Sequence, residues 1–220
     1  GFKQAITPYE YKKRIEDGTI TDVLANHQVK AGDVFYLPAG RVHAICGGIL
    51  LAEVQQSSDV TYRIYDYNRP GLDGKPRELH TELAAQALDY EVERNYRTDY
   101  PKFDNRATLI VDSPYFSVRV LEFNDKFHRT LLKYDSFIIT MCIEGDCEIR
   151  LRPTVHSPLS IVNGPLSIIL KEGHSTLIPA AIADYDLIPL NGKSRILDAF
   201  IDNRPATISQ QITSLLHIAR

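Results

Sequence analysis

The apolar and polar positions change period along this chain. Near the start, Tyr9, Tyr11 and Ile15 stand among Lys12, Lys13, Arg14 and Glu16, the mixed face of a solvated surface helix. Its ends are punctuated. Thr7 is placed to cap it, Pro8 takes the first helical position, Glu10 sits three residues after the cap, and Gly18 stops it. Across residues 28–67 the period shortens to that of strands. Val34, Tyr36 and Val42 are broken by Pro38-Ala39-Gly40, and apolar runs at 49–54 and 60–67 flank the polar stretch 55–59. Turn residues fill 68–76. Leu83, Ala84, Ala87 and Leu88 then predict a helix over 81–90, and 91–105 reads as a charged linker. Beyond Ala107 short strands are expected at 116–123, 137–143, 147–151, 166–170, 175–178 and 196–201. Glu144-Gly145-Asp146, Asn163-Gly164-Pro165 and Asn191-Gly192 separate them as turns. In the tail, Ile208, Ile212, Leu215 and Leu216 carry a terminal-helix pattern. The whole predicts a mainly β chain of two domains, 1–104 and 105–220, of sandwich or barrel type.

An internal repeat supports two related domains. Gly32 precedes Pro38 by the same interval that separates Gly173 from Pro179. Each copy reads as a turn, a short strand, a proline corner and a further strand. At one constant offset His43 of the first copy corresponds to Asp184 of the second. An imidazole behind a rigid corner is either a packed side chain or a metal ligand. The repeat therefore points to one chemical site, in the first domain.

Composition narrows the field further. The 220 residues carry 25 Lys and Arg against 28 Asp and Glu, a net charge of -3. No basic excess predicts a nucleic-acid partner. No apolar run approaches the roughly 18 residues of a membrane span, and no signal peptide opens the sequence. Cys46, Cys142 and Cys147 lack metal-type spacing and read as reduced core or strand residues, from which a cytoplasmic location is expected.

A polar face lies beside His43. By strand alternation Ile49, Leu51, Glu53 and Gln55 share one face, and Thr61, Arg63, Tyr65 and Tyr67 another. A carboxylate within an apolar run is costly unless paired or used. Glu53 and Arg63 are thus either a structural ion pair at a barrel mouth or part of a pocket for a hydroxylated, anionic ligand. Arg69, Lys75 and Arg77 add a local cationic cluster, suited to phosphate or to plain solvation. No glycine-rich phosphate loop, nucleophile elbow or HExxH motif appears.

The runs Gly32-Asp33-Val34-Phe35-Tyr36-Leu37-Pro38-Ala39-Gly40-Arg41-Val42-His43-Ala44, Glu53-Val54-Gln55-Gln56-Ser57-Ser58-Asp59-Val60-Thr61-Tyr62-Arg63 and Tyr65-Asp66-Tyr67 resemble the type I mannose-6-phosphate isomerases, in their short bacterial form. Gly74-Lys75-Pro76-Arg77-Glu78-Leu79-His80 continues the resemblance, which is looser over the second domain. The resemblance implies cupin-type barrels, one zinc ion, and interconversion of mannose 6-phosphate and fructose 6-phosphate. It gives His43 the role of a zinc ligand, Arg63 that of the catalytic arginine and Glu53 that of an active-site glutamate. No role passes to Arg69, Lys75 or Arg77.

In the family, the other zinc ligands precede the segment that Gly1–Ile6 resembles, and neither His27 nor His80 stands in a motif to replace them. The chain thus resembles the family's C-terminal portion, with its first barrel incomplete and its second, degenerate domain structural. The expected partner is a sugar phosphate, with no membrane or nucleic acid and a monomer favoured. As it stands, the chain is expected to be inactive or nearly so. A non-catalytic sugar- or sugar-phosphate-binding cupin is the alternative. An iron-dependent cupin dioxygenase fits worse, because only His43 is at hand as a ligand.

Overall fold

The computed structural model describes residues 1–57, 60–67, 69–71, 73–131, 136–152, 166–182 and 184–201. The terminal-helix pattern at 207–220 and the Asn163-Gly164-Pro165 turn lie outside them. The chain divides into two compact units, Gly1–Asp99 and a second from Tyr100 onward.

In the first unit, helix α1 spans Pro8–Glu16 as its punctuation predicts. The Thr7 hydroxyl accepts from Glu10 N at 3.2 Å, and Thr7 N donates to the Glu10 carboxylate at 2.8 Å, a reciprocal capping box. Gly18 takes the left-handed conformation (φ 70°) just past the helix. A 3-10 turn follows at Ile20–Val23, and α2 covers Thr81–Ala87. The core here gathers Phe2, Ile6, Tyr11, Ile20, Val23, Ile64, Ala84 and Ala85. Contrary to the helical spacing read from sequence, α2 buries Ala84 and Ala85 and leaves Leu83 and Ala87 exposed. Small residues are what let this short helix lie close against its neighbours.

The strands expected within 28–67 form no ladder among the described residues. A strand is held by a ladder of bonds to its neighbours, and here the segments make only isolated ones, such as Thr98 N to Val34 O and His80 N to Arg63 O. Cys46, expected in a core or strand, is exposed for the same reason, whereas Cys142 and Cys147 are buried.

The second unit carries β1 (Arg106–Asp112), β2 (Ser117–Phe123), β3 (Phe127–Thr130), β4 (Ile138–Glu144), β5 (Cys147–Leu151), β6 (Ser167–Leu170), β7 (Ser175–Ile178), β8 (Asp184–Pro189) and β9 (Ser194–Phe200). One antiparallel sheet runs β1-β2-β9-β4-β7 and the other β3-β8-β5-β6. A single core cluster draws Leu121, Ile138, Ile178 and Phe200 from the first and Ile149, Leu170, Tyr185 and Leu187 from the second, so the sheets pack face to face. The turn before β9 is close-packed: a methyl on Gly145 (φ 65°) would fall 2.2 Å from the Lys193 carbonyl. The Cys142 thiol donates to the Gly145 carbonyl at 2.7 Å. Burial pushes the Cys147 thiol up to about 12, so this pair is inert at neutral pH.

Among the described residues, Asp198 and Arg129 carry charge into this core. Strand alternation turns Asp198 inward between Ile196 and Phe200. Thr140, its cross-strand partner, donates to it at 2.7 Å. From the opposite sheet Arg129, paired in register with Tyr185, reaches across to Asp198 at 2.7 Å. All four residues are buried.

The repeat is visible in backbone hydrogen bonds. Asp33 N donates to Lys30 O and Arg41 N to Pro38 O, at 3.0 and 3.1 Å. The corresponding bonds from His174 N to Lys171 O and from Ile182 N to Pro179 O are both 3.0 Å. Gly32 and Gly173 both have positive φ, 89° and 77°. In the second unit the strand of this module is β7, paired with β4.

Candidate functional site

The corner that presents His43 rests on the end of α2. Gly40 has φ 84°, and its carbonyl accepts from Asp89 N at 2.9 Å. A methyl there would lie 2.4 Å from the Ala87 carbonyl, so the site admits glycine only. Arg41 clamps the corner. Its guanidinium donates to Asp89 (3.1 Å) and Glu93 (3.2 Å) and lies 5.0 Å above the Tyr96 ring. The Asp89 carboxyl is held below its ordinary value, chiefly by the Glu91 amide and also by Arg41.

Two residues on, His43 Nδ1 lies 2.9 Å from the Arg41 carbonyl. A carbonyl only accepts, so Nδ1 bears a proton, and in the neutral ring Nε2 then keeps its lone pair. The ring is exposed. This is the tautomer and anchoring that a metal-ligating imidazole requires.

Arg63 is fixed by His80. Arg63 N donates to His80 Nδ1 at 2.9 Å, His80 N returns a bond to Arg63 O at 2.8 Å, and Arg63 Nη1 reaches the Glu78 carbonyl at 3.2 Å. Glu53 is exposed. Among the described residues no hydrogen bond or ion pair joins any two of His43, Glu53 and Arg63, so the structural Glu53–Arg63 pair is not formed. An open hollow of about 280 Å³ in this unit is lined by Phe2, His27, Arg94, Tyr96 and Arg97 and touches none of the three.

Two of the three cations read from sequence share one carboxylate, Asp66. Arg77 Nε donates to Asp66 at 2.6 Å and its Nη2 bonds the same carboxylate, while Arg69 Nη2 adds a bond of 2.8 Å. Lys75 makes no side-chain contact among the described residues. The Asp66 carboxyl is held far below its ordinary value, foremost by the hydrogen bond from Arg77. A carboxylate with a depressed folded pKa stabilises the fold above its unfolded pKa and loses that contribution as pH falls toward the folded value. The stability gap between the wild type and Asp66→Asn is therefore expected to be full at neutral pH and to narrow below about pH 4. Urea midpoints of the two proteins between pH 7 and 2.5 check this; a gap independent of pH would refute it.

Gly40, Arg41, Asp66 and His80 support the candidate residues but were not singled out from sequence. The glycine behind Pro38 was the readable signal. The long-range pairs Arg41–Asp89 and Asp66–Arg77 leave no local trace.

No family model matches the chain. Mannose-6-phosphate isomerase ManA of Bacillus subtilis (strain 168) is 31% identical over 185 residues, which are 83% of this chain and 54% of ManA. The protein named probable mannose-6-phosphate isomerase GmuF, from the same strain, is 29% identical over the same shares. A mannose-6-phosphate isomerase of Streptococcus mutans is 38% identical over 116 residues. The crystal structure of the mannose 6-phosphate isomerase from Bacillus subtilis superposes with a TM-score of 0.74 at 29% identity, covering 90% of this chain and 58% of that one. The chain thus spans about half the length of the curated relatives it matches. In sequence and in fold, this chain is homologous, over that half, to the mannose-6-phosphate isomerases.

Proposed function

We propose that this chain carries part of the active site of an aldose-ketose isomerase that interconverts mannose 6-phosphate and fructose 6-phosphate. The observation that carries the reading is the match to ManA across most of this chain, with the fold superposing on the Bacillus subtilis enzyme.

The reaction moves one proton between C2 and C1 of the sugar through a cis-enediol, with a compensating shift between the two oxygens. Three demands follow: a base within reach of the carbon-bound proton, positive charge where the enediolate oxygen develops, and a grip on the distal phosphate. Arg63, its backbone pinned by His80, supplies positive charge whose position does not have to be organised during the reaction. Glu53 is the candidate base, an exposed carboxylate free of any cation among the described residues.

Zinc, when bound, would polarise the sugar oxygens. The described residues do not hold it by themselves. A tetrahedral site needs three or four protein ligands, and no cluster of three or more His, Cys, Asp or Glu able to hold a metal is assembled among them. His43 would offer one Nε2, and the other ligands would have to come from outside the described residues. No helix among the described residues is long and apolar enough to cross a membrane.

In the gene's complete product, Arg63→Ala is expected to lower kcat by about 10²-fold or more, with a smaller change in KM. An assay on mannose 6-phosphate coupled to fructose 6-phosphate consumption reads both. Full activity in the variant would remove Arg63 from the chemistry, and no isomerase activity in the zinc-supplemented wild type would overturn the assignment.

A further inference from the structure

His80 joins the candidate arginine to a helix. It stands immediately before α2, and its carbonyl accepts from Ala84 N at 2.8 Å, so the helix carries it. Ala84 and Ala85 lie in the same core cluster as Ile64, the chain neighbour of Arg63. A reciprocal pair of bonds spans the gap between these anchored segments. His80 N donates to Arg63 O at 2.8 Å, and Arg63 N donates to His80 Nδ1 at 2.9 Å. The Arg63 guanidinium leans on the same segment, at the Glu78 carbonyl.

The two bonds of that pair differ in kind. The first joins backbone atoms, which do not titrate. The second ends on a ring nitrogen that accepts only while it is bare. Since Nδ1 accepts, the neutral ring carries its proton on Nε2. A second proton has only Nδ1 to go to, and an imidazolium donates from both nitrogens. The part-buried Arg63 N–H would then face another N–H and lose its acceptor. The charged and titratable groups around the ring are Arg63, Glu78, Tyr62, whose ring centroid is 6.1 Å away, and Glu82 of α2, which is paired with Lys12 of α1.

We propose that His80 is a positioning residue for Arg63 and that one proton switches it. With Nδ1 bare, the ring ties the Arg63 backbone to α2. With Nδ1 protonated, that tie is lost, and turnover that depends on Arg63 falls. The consequence for turnover rests on the isomerase reading; the switch itself does not.

The test compares the wild type with His80→Ala and His80→Asn in the gene's complete product. Asn offers an amide oxygen close to the place of Nδ1 and does not titrate. Residue-resolved hydrogen exchange gives the protection of the Arg63 amide, referred to that of Leu88, which closes α2 on the Ala84 carbonyl. In the wild type this protection is expected to fall about tenfold or more between about pH 8 and 5, where imidazoles titrate. It should be low throughout in His80→Ala and steady in His80→Asn. Kinetics add a readout that a merely structural role would not move. His80→Ala should lower kcat about tenfold with a smaller change in KM, and His80→Asn should recover most of the loss. The ratio of wild-type to His80→Asn kcat should fall with pH, and titrations that both proteins share, that of His43 included, cancel in it. If His80→Ala unfolds, as loss of protection at Leu88 would show, the wild type against His80→Asn decides. Three results would each overturn the proposal: Arg63 protection in the wild type that ignores pH, full protection in His80→Ala, or His80→Asn as poorly protected as His80→Ala. A wild type without isomerase activity whose Arg63 protection still falls on acidification sinks the functional reading and leaves the switch standing.

Discussion

Replacing Asp198 by alanine is expected to destabilise the second unit by about 3–5 kcal/mol, the usual cost of orphaning one member of a buried ion pair. Asp198 and Arg129 come from opposite sheets and meet inside the sandwich at 2.7 Å. Burial alone would pull the Arg129 guanidinium down, but Asp198 and then Tyr185 outweigh it and keep it firmly charged. Removing the carboxylate leaves that charge with no counter-ion in a site that water does not reach. The pair is a poor source of net stability even when intact, since Arg129 Nη1 and Tyr185 Oη have no hydrogen-bond partner. Arg129→Met combined with Asp198→Leu should therefore recover most of what Asp198→Ala loses. The chain has no Trp, so the unfolding of this unit is best followed by hydrogen exchange in β4 and β9. A small effect of Asp198→Ala would mean that water reaches Arg129.

The second large effect is expected at Gly40. An alanine there meets two penalties. A positive φ costs an L-residue about 1–2 kcal/mol, and its methyl would press on the Ala87 carbonyl at 2.4 Å. Gly48→Ala provides the control, because Gly48 shares the positive φ but has open space around it. Gly40→Ala should cost about 2 kcal/mol more than Gly48→Ala, since the backbone carbonyl cannot move aside without breaking the end of α2. Denaturation midpoints of the two variants, with exchange measured across α2, decide the matter. Equal losses would show that the corner relaxes freely. The same substitution should shift the His43 imidazole resonances, because the Arg41 carbonyl that holds Nδ1 belongs to that corner.

The sequence disclosed most where the determinants are local. The capping box at Thr7 and Glu10, the glycine turn and proline corner of both repeats, and the alternating strands at Cys147–Leu151 and Ser175–Ile178 are each specified by residues a few positions apart. Three strands were not anticipated, β1, β3 and β8. β3 is short and polar, with Arg129 inward, and β8 buries Tyr185, Asp186 and Leu187 in succession, so neither shows clean alternation. In the candidate site, His43, Glu53 and Arg63 are proposed from the motifs that carry them. Their supports are not, because Arg41–Asp89, Arg63–His80 and Asp66–Arg77 are partnerships that only folding brings together. The strands expected around Glu53 failed in the opposite way. Their pattern is that of paired strands, but among the described residues they make isolated bonds, such as His80 N to Arg63 O, and no ladder.

The matching hydrogen bonds of the two repeats bear on how such a chain can change over time. Each corner has its own closing backbone bond, Arg41 N to Pro38 O and Ile182 N to Pro179 O, in which the side chains of His43 and Asp184 take no part. In the second unit that place is held by Asp184, which pairs with His128 at 3.4 Å. The residue there can therefore be exchanged while the bond that closes the corner stays intact.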